Sequence, residues 1–188
     1  MELKKLASCF DKDHFKTLHE EMSFPEYFDK LYSNPPLVRT AYQRIYDMII
    51  SKGSSEFEKN RKTYIHYKFF DDEEIPIFGL EETLDSLVKF IKGAAGGYGT
   101  EKRILLLHGP VGSSKSTIAR RLKRGLEQYT QLPEGALYTF KWVNLPIGET
   151  GVYTSKEACC PLHEDPIKLI PIKGRRKIVA ELNEIMKD

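Results

Sequence analysis

The sequence RILLLHGPVGSSKST at residues 103–117 joins a short apolar run to a glycine-containing turn and the start of a helix. Ile104 to Leu107 is continuously apolar, which is typical of a strand in a parallel sheet that is covered on both faces. Gly109 and Gly112 permit the sharp turn that must follow, because glycine adopts backbone angles that other residues resist. The order of strand, loop and helix predicts an α/β fold with parallel strands.

The turn matches the Walker A pattern G-x-x-x-x-G-K-[ST] with one departure, since Ser114 stands where the second glycine is expected. Successive backbone amides in such a loop form a concave site for phosphate oxygens, and the positive end of the following helix faces the same site. We therefore predict a P-loop that binds a nucleoside triphosphate. The predicted ligand-binding residues are Gly109, Pro110, Val111, Gly112, Ser113, Ser114, Lys115, Ser116 and Thr117.

Three side chains of the motif have separate expected roles. Lys115 would reach the β- and γ-phosphates, the Ser116 hydroxyl would ligate Mg²⁺, and Thr117 would contact the α-phosphate. Serine is the smallest substitute for glycine that carries a hydrogen-bonding group. We therefore expect Ser114 to alter the loop rather than to abolish it.

Composition excludes several partner classes. The 188 residues are 40% hydrophobic and 30% charged with a net charge of +2, which gives no polyanion-binding footprint, and the basic cluster at residues 173–177 is predicted to be a solvated surface. No apolar run approaches the roughly 18 residues of a membrane span, and residues 1–5 lack a signal-peptide core. Three cysteines do not suggest a disulfide framework. We expect a cytoplasmic protein without nucleic-acid or membrane partners.

The pattern along the chain predicts an N-terminal helical segment at residues 1–62 and a partial nucleotide-binding domain at residues 63–188. Apolar residues at helical spacing predict helices over Phe24–Tyr32, from Leu37 to near Gly53, over Glu81–Ala95, from Lys115 onward and over about Arg175–Met186. Residues 51–62 are polar and predict a loop. Tyr64–Phe70 and Ala136–Val143 are candidate strands.

An acidic strand end, which a P-loop ATPase needs for its magnesium shell, is missing downstream of the motif. Ala136–Val143 ends at Asn144, and Ile167–Ile172 ends at Lys173. Upstream, Tyr64–Phe70 precedes Asp71-Asp72, which is either a metal-binding strand in a permuted order or an acidic surface turn. We expect the Walker B, sensor and arginine-finger residues beyond residue 188, and we assign no catalytic residue within the chain.

Several separate motifs resemble those of the bacterial PrkA-type serine protein kinases. They occur in the same order at residues 78–84 (FGLEETL), 108–117, 134–138 (EGALY) and 160–166 (CPLHEDP). The resemblance implies an AAA-type P-loop NTPase module at the N-terminus of a longer, kinase-like protein. It also implies ATP or ADP with Mg²⁺ as ligands, a protein substrate and homo-oligomers of the whole protein. In AAA-type modules the segment that matches Phe78 and Gly79 lies beside the adenine; otherwise these residues only precede a helix.

Two questions stay open at this level. Cys159, Cys160 and His163, with Cys9 or Glu164, could form a tetrahedral metal site, a structural loop or a loop that faces a partner. The function favoured by the resemblance is an ATP-binding module in which nucleotide binding drives conformational change or assembly, with negligible hydrolysis by the chain alone. The alternatives are a complete small-molecule kinase and a non-catalytic interaction module with a vestigial P-loop.

Overall fold

The structure, a computed structural model, describes residues 19–59, 61–71, 77–145 and 157–186. The helices within these ranges are α1 (Phe24–Ser33), α2 (Ala41–Ser51), α3 (Glu81–Ala95), α4 (Lys115–Tyr129) and α5 (Ile172–Ile185). The strands are β1 (Ser54–Lys59), β2 (Lys62–Tyr67), β3 (Lys141–Trp142) and β4 (Ala158–Cys159). Short 3₁₀ helices cover Pro35–Val38, Lys68–Phe70, Thr100–Lys102, Pro133–Gly135 and Pro166–Leu169. No described helix is long and apolar enough to cross a membrane.

The chain divides into two compact units, one of residues 1–35 and 166–188 and one of residues 36–165. In the first unit, Tyr27 and Leu31 of α1 and Leu182 of α5 are buried. The Tyr32 hydroxyl donates a hydrogen bond to Glu181 Oε2 at 2.8 Å. This bond joins α1 and α5. The predicted domain boundary after residue 62 stays a prediction.

The core of the second unit is formed by α2, α3, α4 and the 3₁₀ helix at Lys68–Phe70. Its buried members include Met48 and Ile49 of α2, Phe69 and Phe70, and Val88 of α3. Apolar residues recur along α3 at positions 84, 87, 88 and 91, all of which are buried. That spacing places them on one helix face, so burying them drives the packing of α3.

The helix predictions are largely confirmed. Both ends of α1 and α3 and the first residue of α4 lie within about one residue of their predicted positions. The predicted second helix is divided, because a 3₁₀ helix at Pro35–Val38 precedes α2 and Thr40 caps α2 by accepting a hydrogen bond from the Gln43 amide. The last helix begins at Ile172, directly after Pro171, instead of at Arg175.

The predicted parallel strands are not present among the described residues. β1 pairs with β2 in an antiparallel hairpin, with Ser54 opposite Tyr67, and β3 pairs with β4 antiparallel, with Lys141 opposite Cys159. The predicted loop at residues 51–62 is wrong, since it contains β1. Phe57 of β1 packs on Tyr64 of β2 with ring centroids 5.8 Å apart, a cross-strand pair that stabilises the hairpin despite its polar sequence.

The predicted buried strand at Ile104–Leu107 does not form in the structure. These residues are irregular, with Ile104 95% and Leu106 80% exposed. A parallel strand satisfies its backbone groups only through neighbouring strands, and neither described sheet includes this segment. The other candidate strand, Ala136–Val143, is reduced to the two residues of β3, and Tyr64–Phe70 is extended only as far as Tyr67.

Candidate functional site

The predicted phosphate-binding residues surround the start of α4, and this helix is anchored by its buried face. Ile118 is only 2% exposed, and Leu122 and Leu126 pack against the same core. Arg121 fixes the helix further, since its Nε donates to the carbonyl oxygen of Phe69 at 3.0 Å and its Nη2 to that of Asp71 at 2.7 Å. These contacts hold α4 against the core.

The glycine loop, residues 109–114, has two residues in the left-handed backbone region. Gly112 has φ +83° and Ser114 has φ +55°. Glycine adopts such angles without cost, whereas a residue with a Cβ is strained by about 1 kcal/mol or more. Ser114 therefore adopts a backbone conformation that favours glycine, at the position where the motif has glycine.

The N-terminus of α4 carries no side-chain cap. Ser114 is the N-cap residue, but its hydroxyl makes no capping hydrogen bond, and the first turn of α4 contains no acidic residue. Unpaired amides and the positive end of the helix dipole attract anions. The arrangement can therefore accept phosphate without displacing a carboxylate from this turn.

Lys115 folds back across the glycine loop. Its Nζ donates to the carbonyl oxygens of Gly109 at 2.8 Å and Pro110 at 2.5 Å, and to Ser113 Oγ at 2.8 Å. Ser113 Oγ in turn donates to the Pro110 carbonyl oxygen at 2.8 Å. All three ammonium donors are thus used within the loop, and the positive charge lies against it.

The remaining motif residues differ in exposure. Pro110, Val111 and Ser116 are exposed, whereas Thr117 is half-buried. The Ser116 hydroxyl, the predicted magnesium ligand, is therefore accessible in the first turn of α4. The structure brings Gly109, Pro110, Ser113 and Lys115 into direct contact, and their predicted contacts with phosphate stay a prediction.

Phe78 and Gly79 lie in the irregular segment that directly precedes α3. Ile77 and Leu80 pack against the core, whereas Phe78 between them is 82% exposed. Gly79 has φ +71°, so it is the backbone conformation rather than lack of space that favours glycine here. An exposed aromatic ring between two anchored residues is available to a ligand.

The segment around Cys160 is held by backbone hydrogen bonds. Cys160 is buried, and its amide donates to the Phe140 carbonyl oxygen at 3.0 Å. The Glu164 amide donates to Cys160 Sγ at 3.5 Å, and the Thr139 hydroxyl donates to the Glu164 carbonyl oxygen at 3.2 Å. The described residues contain no group of three His, Cys, Asp or Glu that could hold a metal ion, and Cys9 lies outside them. These bonds favour the structural-loop interpretation.

The acidic turn upstream is engaged in other contacts. The carboxylate of Asp71 lies 3.1 Å from His66 Nε2, and the Asp71 carbonyl oxygen accepts from Arg121. β2, which precedes this turn, belongs to the antiparallel hairpin. The permuted metal-binding strand is therefore not supported, and Asp72 lies outside the described residues.

Sequence reasoning missed Arg44, which is only 5% exposed within α2. Its guanidinium donates to the carbonyl oxygens of Leu37 at 3.0 Å, Gly135 at 2.7 Å and Ala136 at 3.3 Å. Burial raises the pKa of the nearby Asp47, while the charges of Arg39 and Arg44 oppose this rise. No local signal marks such a residue, because two of its acceptors lie some ninety positions further along the chain.

One family model and several known proteins match the sequence of this chain. The family model described as the PrkA AAA domain matches residues 22–187. The chain is 37% identical over 170 residues to the "ATP-dependent protease PrkA" of Bacillus subtilis (strain 168), which covers 90% of the chain and 23% of that protein. It is 36% identical over 103 residues to an "Uncharacterized protein in gldA 5'region" of Geobacillus stearothermophilus, covering 54% of the chain and 97% of the relative.

A third relative is the "Serine/threonine kinase YeaG" of Escherichia coli (strain K12). It is 46% identical over 46 residues, which is 24% of the chain and 7% of that protein. The chain thus spans about a quarter of the Bacillus subtilis relative that it matches along most of its own length. No solved structure matches the chain.

Proposed function

The chain belongs to the PrkA AAA domain family, and we propose that it binds the triphosphate of ATP through residues 109–117. The observation that carries this proposal is the position of the Lys115 ammonium. It lies within the glycine loop, bonded to the oxygens of Gly109, Pro110 and Ser113, beside an uncapped helix N-terminus. When the nucleotide binds, phosphate oxygens replace the neutral loop oxygens as acceptors for the Lys115 ammonium, because a hydrogen bond between two charged groups is stronger than one to a neutral group.

Magnesium is the metal that accompanies the nucleotide in this proposal. The Ser116 hydroxyl is exposed in the first turn of α4, where a Walker A serine holds the ion. Bound Mg²⁺ would neutralise part of the charge on the β- and γ-phosphates. The protein's own contribution is the set of loop and helix amides, the Lys115 charge and the Ser116 oxygen.

Phe78 and Gly79 supply the specificity for adenine in this proposal. Phe78 stacks on the base, and Gly79 gives the base access to backbone groups. The exposed ring of Phe78 and the positive φ of Gly79 support this assignment. Stacking of a base on an aromatic ring contributes about 1–3 kcal/mol.

For the whole protein we propose a cytoplasmic, ATP-dependent serine protein kinase that acts on a protein substrate and assembles as a homo-oligomer. One relative is named a kinase and another an ATP-dependent protease, and both names describe activities that use ATP. Nucleotide binding is the step common to both. The chain's role is therefore to bind ATP or ADP and to couple this binding to conformational change or assembly.

The test is calorimetric titration of the chain with Mg²⁺ and ATP, ADP or inorganic tripolyphosphate, which lacks the base. Lys115→Ala is expected to weaken ATP and tripolyphosphate alike by about tenfold or more, since it removes a charged hydrogen-bond donor. Phe78→Ala is expected to weaken ATP about tenfold and to leave tripolyphosphate unchanged. Lys123→Ala, an exposed lysine further along α4, serves as the matched control and should change neither affinity.

Three outcomes would contradict parts of the proposal. Absence of binding heat with every nucleotide would favour an interaction module with a vestigial loop. Equal ATP affinity in Lys115→Ala and the parent chain would place the site elsewhere. Transfer of phosphate from ATP to a small metabolite by the chain alone would favour a complete small-molecule kinase.

A further inference from the structure

A hollow in the unit of residues 36–165 shares no residue with the glycine loop. It has a volume of about 640 Å³ and lies between the end of α2, the 3₁₀ helix at Lys68–Phe70 and the second half of α4. Its apolar lining includes Met48, Phe69 and Leu132. Sites for small organic ligands typically have volumes of about 300–1,000 Å³. The lining of this hollow combines polar and apolar groups, with the polar share slightly larger.

The close approach of α4 to Phe69 shapes this lining. A Cβ atom added to Gly125 would lie 2.4 Å from the Phe69 ring and 3.1 Å from Met48 Sδ. Gly125 therefore lets the helix backbone lie directly on the two apolar side chains. Met48 and Phe69, which are only 2% and 3% exposed, therefore form the floor of the hollow, and Leu132, which is 45% exposed, is its accessible apolar side chain.

The charged residues around this hollow are unbalanced. Among the residues that the structure describes, Lys52, Lys68, Arg121 and Arg124 line it, and Asp71 is the one carboxylate. Asp71 already contacts His66, and Arg121 is bonded to backbone carbonyls. In the part of the chain that the structure describes, Lys52, Lys68 and Arg124 form no salt bridge.

Like charges that share one hollow repel one another, and a bound anion removes this repulsion. An apolar surface under these cations also favours a ligand that has an apolar body. We propose that this hollow binds a small organic anion. Its carboxylate, sulfate or phosphate group is held by Lys52, Lys68 and Arg124, and its aromatic or aliphatic body lies against Met48, Phe69 and Leu132.

The test uses naphthalene-2-sulfonate, which combines a sulfonate with an aromatic body, as the probe in a fluorescence titration of the chain. The expected result is one saturable site. The Lys68→Glu/Arg124→Glu double variant should weaken it by about tenfold or more, because two attractive charges become repulsive. Lys123→Glu reverses the charge next to Arg124 outside the lining, and it should change the affinity less than about twofold.

The site is independent of the proposed nucleotide site, and the same titration separates the two. The Lys115→Ala variant should bind the probe with the same affinity as the parent chain. Saturating Mg²⁺ and ATP should not change the affinity of the parent chain for the probe. Equal affinity in the double variant and the parent chain, or displacement of the probe by ATP, would overturn the proposal. If circular dichroism shows that the double variant does not fold, the proposal is tested by titrating the parent chain with the probe at increasing salt concentration. Added salt should lower the affinity of the parent chain for the probe, and an affinity that is independent of salt would overturn the proposal.

Discussion

The ammonium nitrogen of Lys115 lies 2.8 Å from the carbonyl oxygen of Gly109, so the first residue of α4 is hydrogen-bonded to the first residue of the glycine loop. The same ammonium also bonds to Pro110 and Ser113. These acceptors are uncharged, and a phosphate that enters the loop offers charged ones instead. Phosphate binding therefore exchanges hydrogen bonds within the loop for hydrogen bonds to the phosphate. The free energy of binding depends on how stable the loop is without the ligand.

Ser114→Gly should stabilise the loop, because Ser114 has φ +55° and glycine adopts this angle without strain. We expect the free energy of unfolding to rise by about 0.5–1 kcal/mol, which is the strain that is removed less the entropy lost by glycine. Urea denaturation followed by circular dichroism measures this change. ATP affinity should rise in parallel, since the loop then costs less to hold in its binding conformation.

Ser113→Gly is the matched control for this prediction. Ser113 Oγ accepts from Lys115 and donates to Pro110, so its removal should lower the free energy of unfolding by about 0.5–1.5 kcal/mol. If both glycine variants destabilise the chain to the same extent, the strain assigned to Ser114 is wrong.

Gly125→Ala should destabilise the unit of residues 36–165. The added Cβ would lie 2.4 Å from the Phe69 ring, so α4 and the 3₁₀ helix at Lys68–Phe70 must separate. Overpacking of this kind costs about 1–3 kcal/mol, which exceeds the roughly 1 kcal/mol of helix propensity that alanine gains over glycine. Thermal denaturation should show a lower midpoint.

Gly174→Ala in α5 tests whether the loss comes from overpacking. A Cβ there meets only the methyl group of Ile170 at 3.1 Å, and a methyl can shift by a few tenths of an ångström. This variant should leave the midpoint unchanged or raise it. A fall as large as that of Gly125→Ala would mean that the helices do not tolerate alanine in general.

The sequence predicted correctly those structural elements that depend on residues close together in the chain. The spacing of apolar residues located α3, and the lysine of the motif located the start of α4, because each depends on residues within a few positions. The role of the glycine loop in binding phosphate stays a prediction. The role of Phe78 relative to the loop stays a prediction.

Features that depend on distant partners could not be derived in this way. β1 is polar except for Phe57, so its sequence alone does not indicate a strand, and its pairing depends on the contact of Phe57 with Tyr64 of β2. Ile104–Leu107 has the composition of a buried strand, yet a strand requires neighbours that these residues do not have in the described chain. Arg44 was hidden for the same reason, since its acceptors at Gly135 and Ala136 come from another part of the sequence.

Arg44→Met should be strongly destabilising. The variant keeps a side chain of similar length but leaves the carbonyl oxygens of Leu37 and Gly135 without their buried donor. Each unsatisfied buried group costs about 1–3 kcal/mol, so we expect a loss of about 2–4 kcal/mol in a urea denaturation experiment. Arg39→Met is the control, because Arg39 is less buried and pairs chiefly with Asp47 at 3.1 Å. A loss for Arg44→Met no larger than that for Arg39→Met would contradict the structural role assigned to Arg44.

Acid should loosen the start of α1 through Glu26. The backbone amide of Ser23 donates to Glu26 Oε2 at 2.7 Å, as does the Ser23 hydroxyl, and these bonds lower the pKa of Glu26 below its ordinary value of 4.5. Because the folded-state pKa is the lower one, the stabilising contribution is complete above pH 4.5 and is lost as the pH falls through the folded-state value. Amide hydrogen exchange in the first turn of α1 should therefore show less protection on the acid side of this range. Glu26→Gln, which has the same shape but does not titrate, should show no such pH dependence of protection, and an equal acid response in both proteins would assign the loosening to another group.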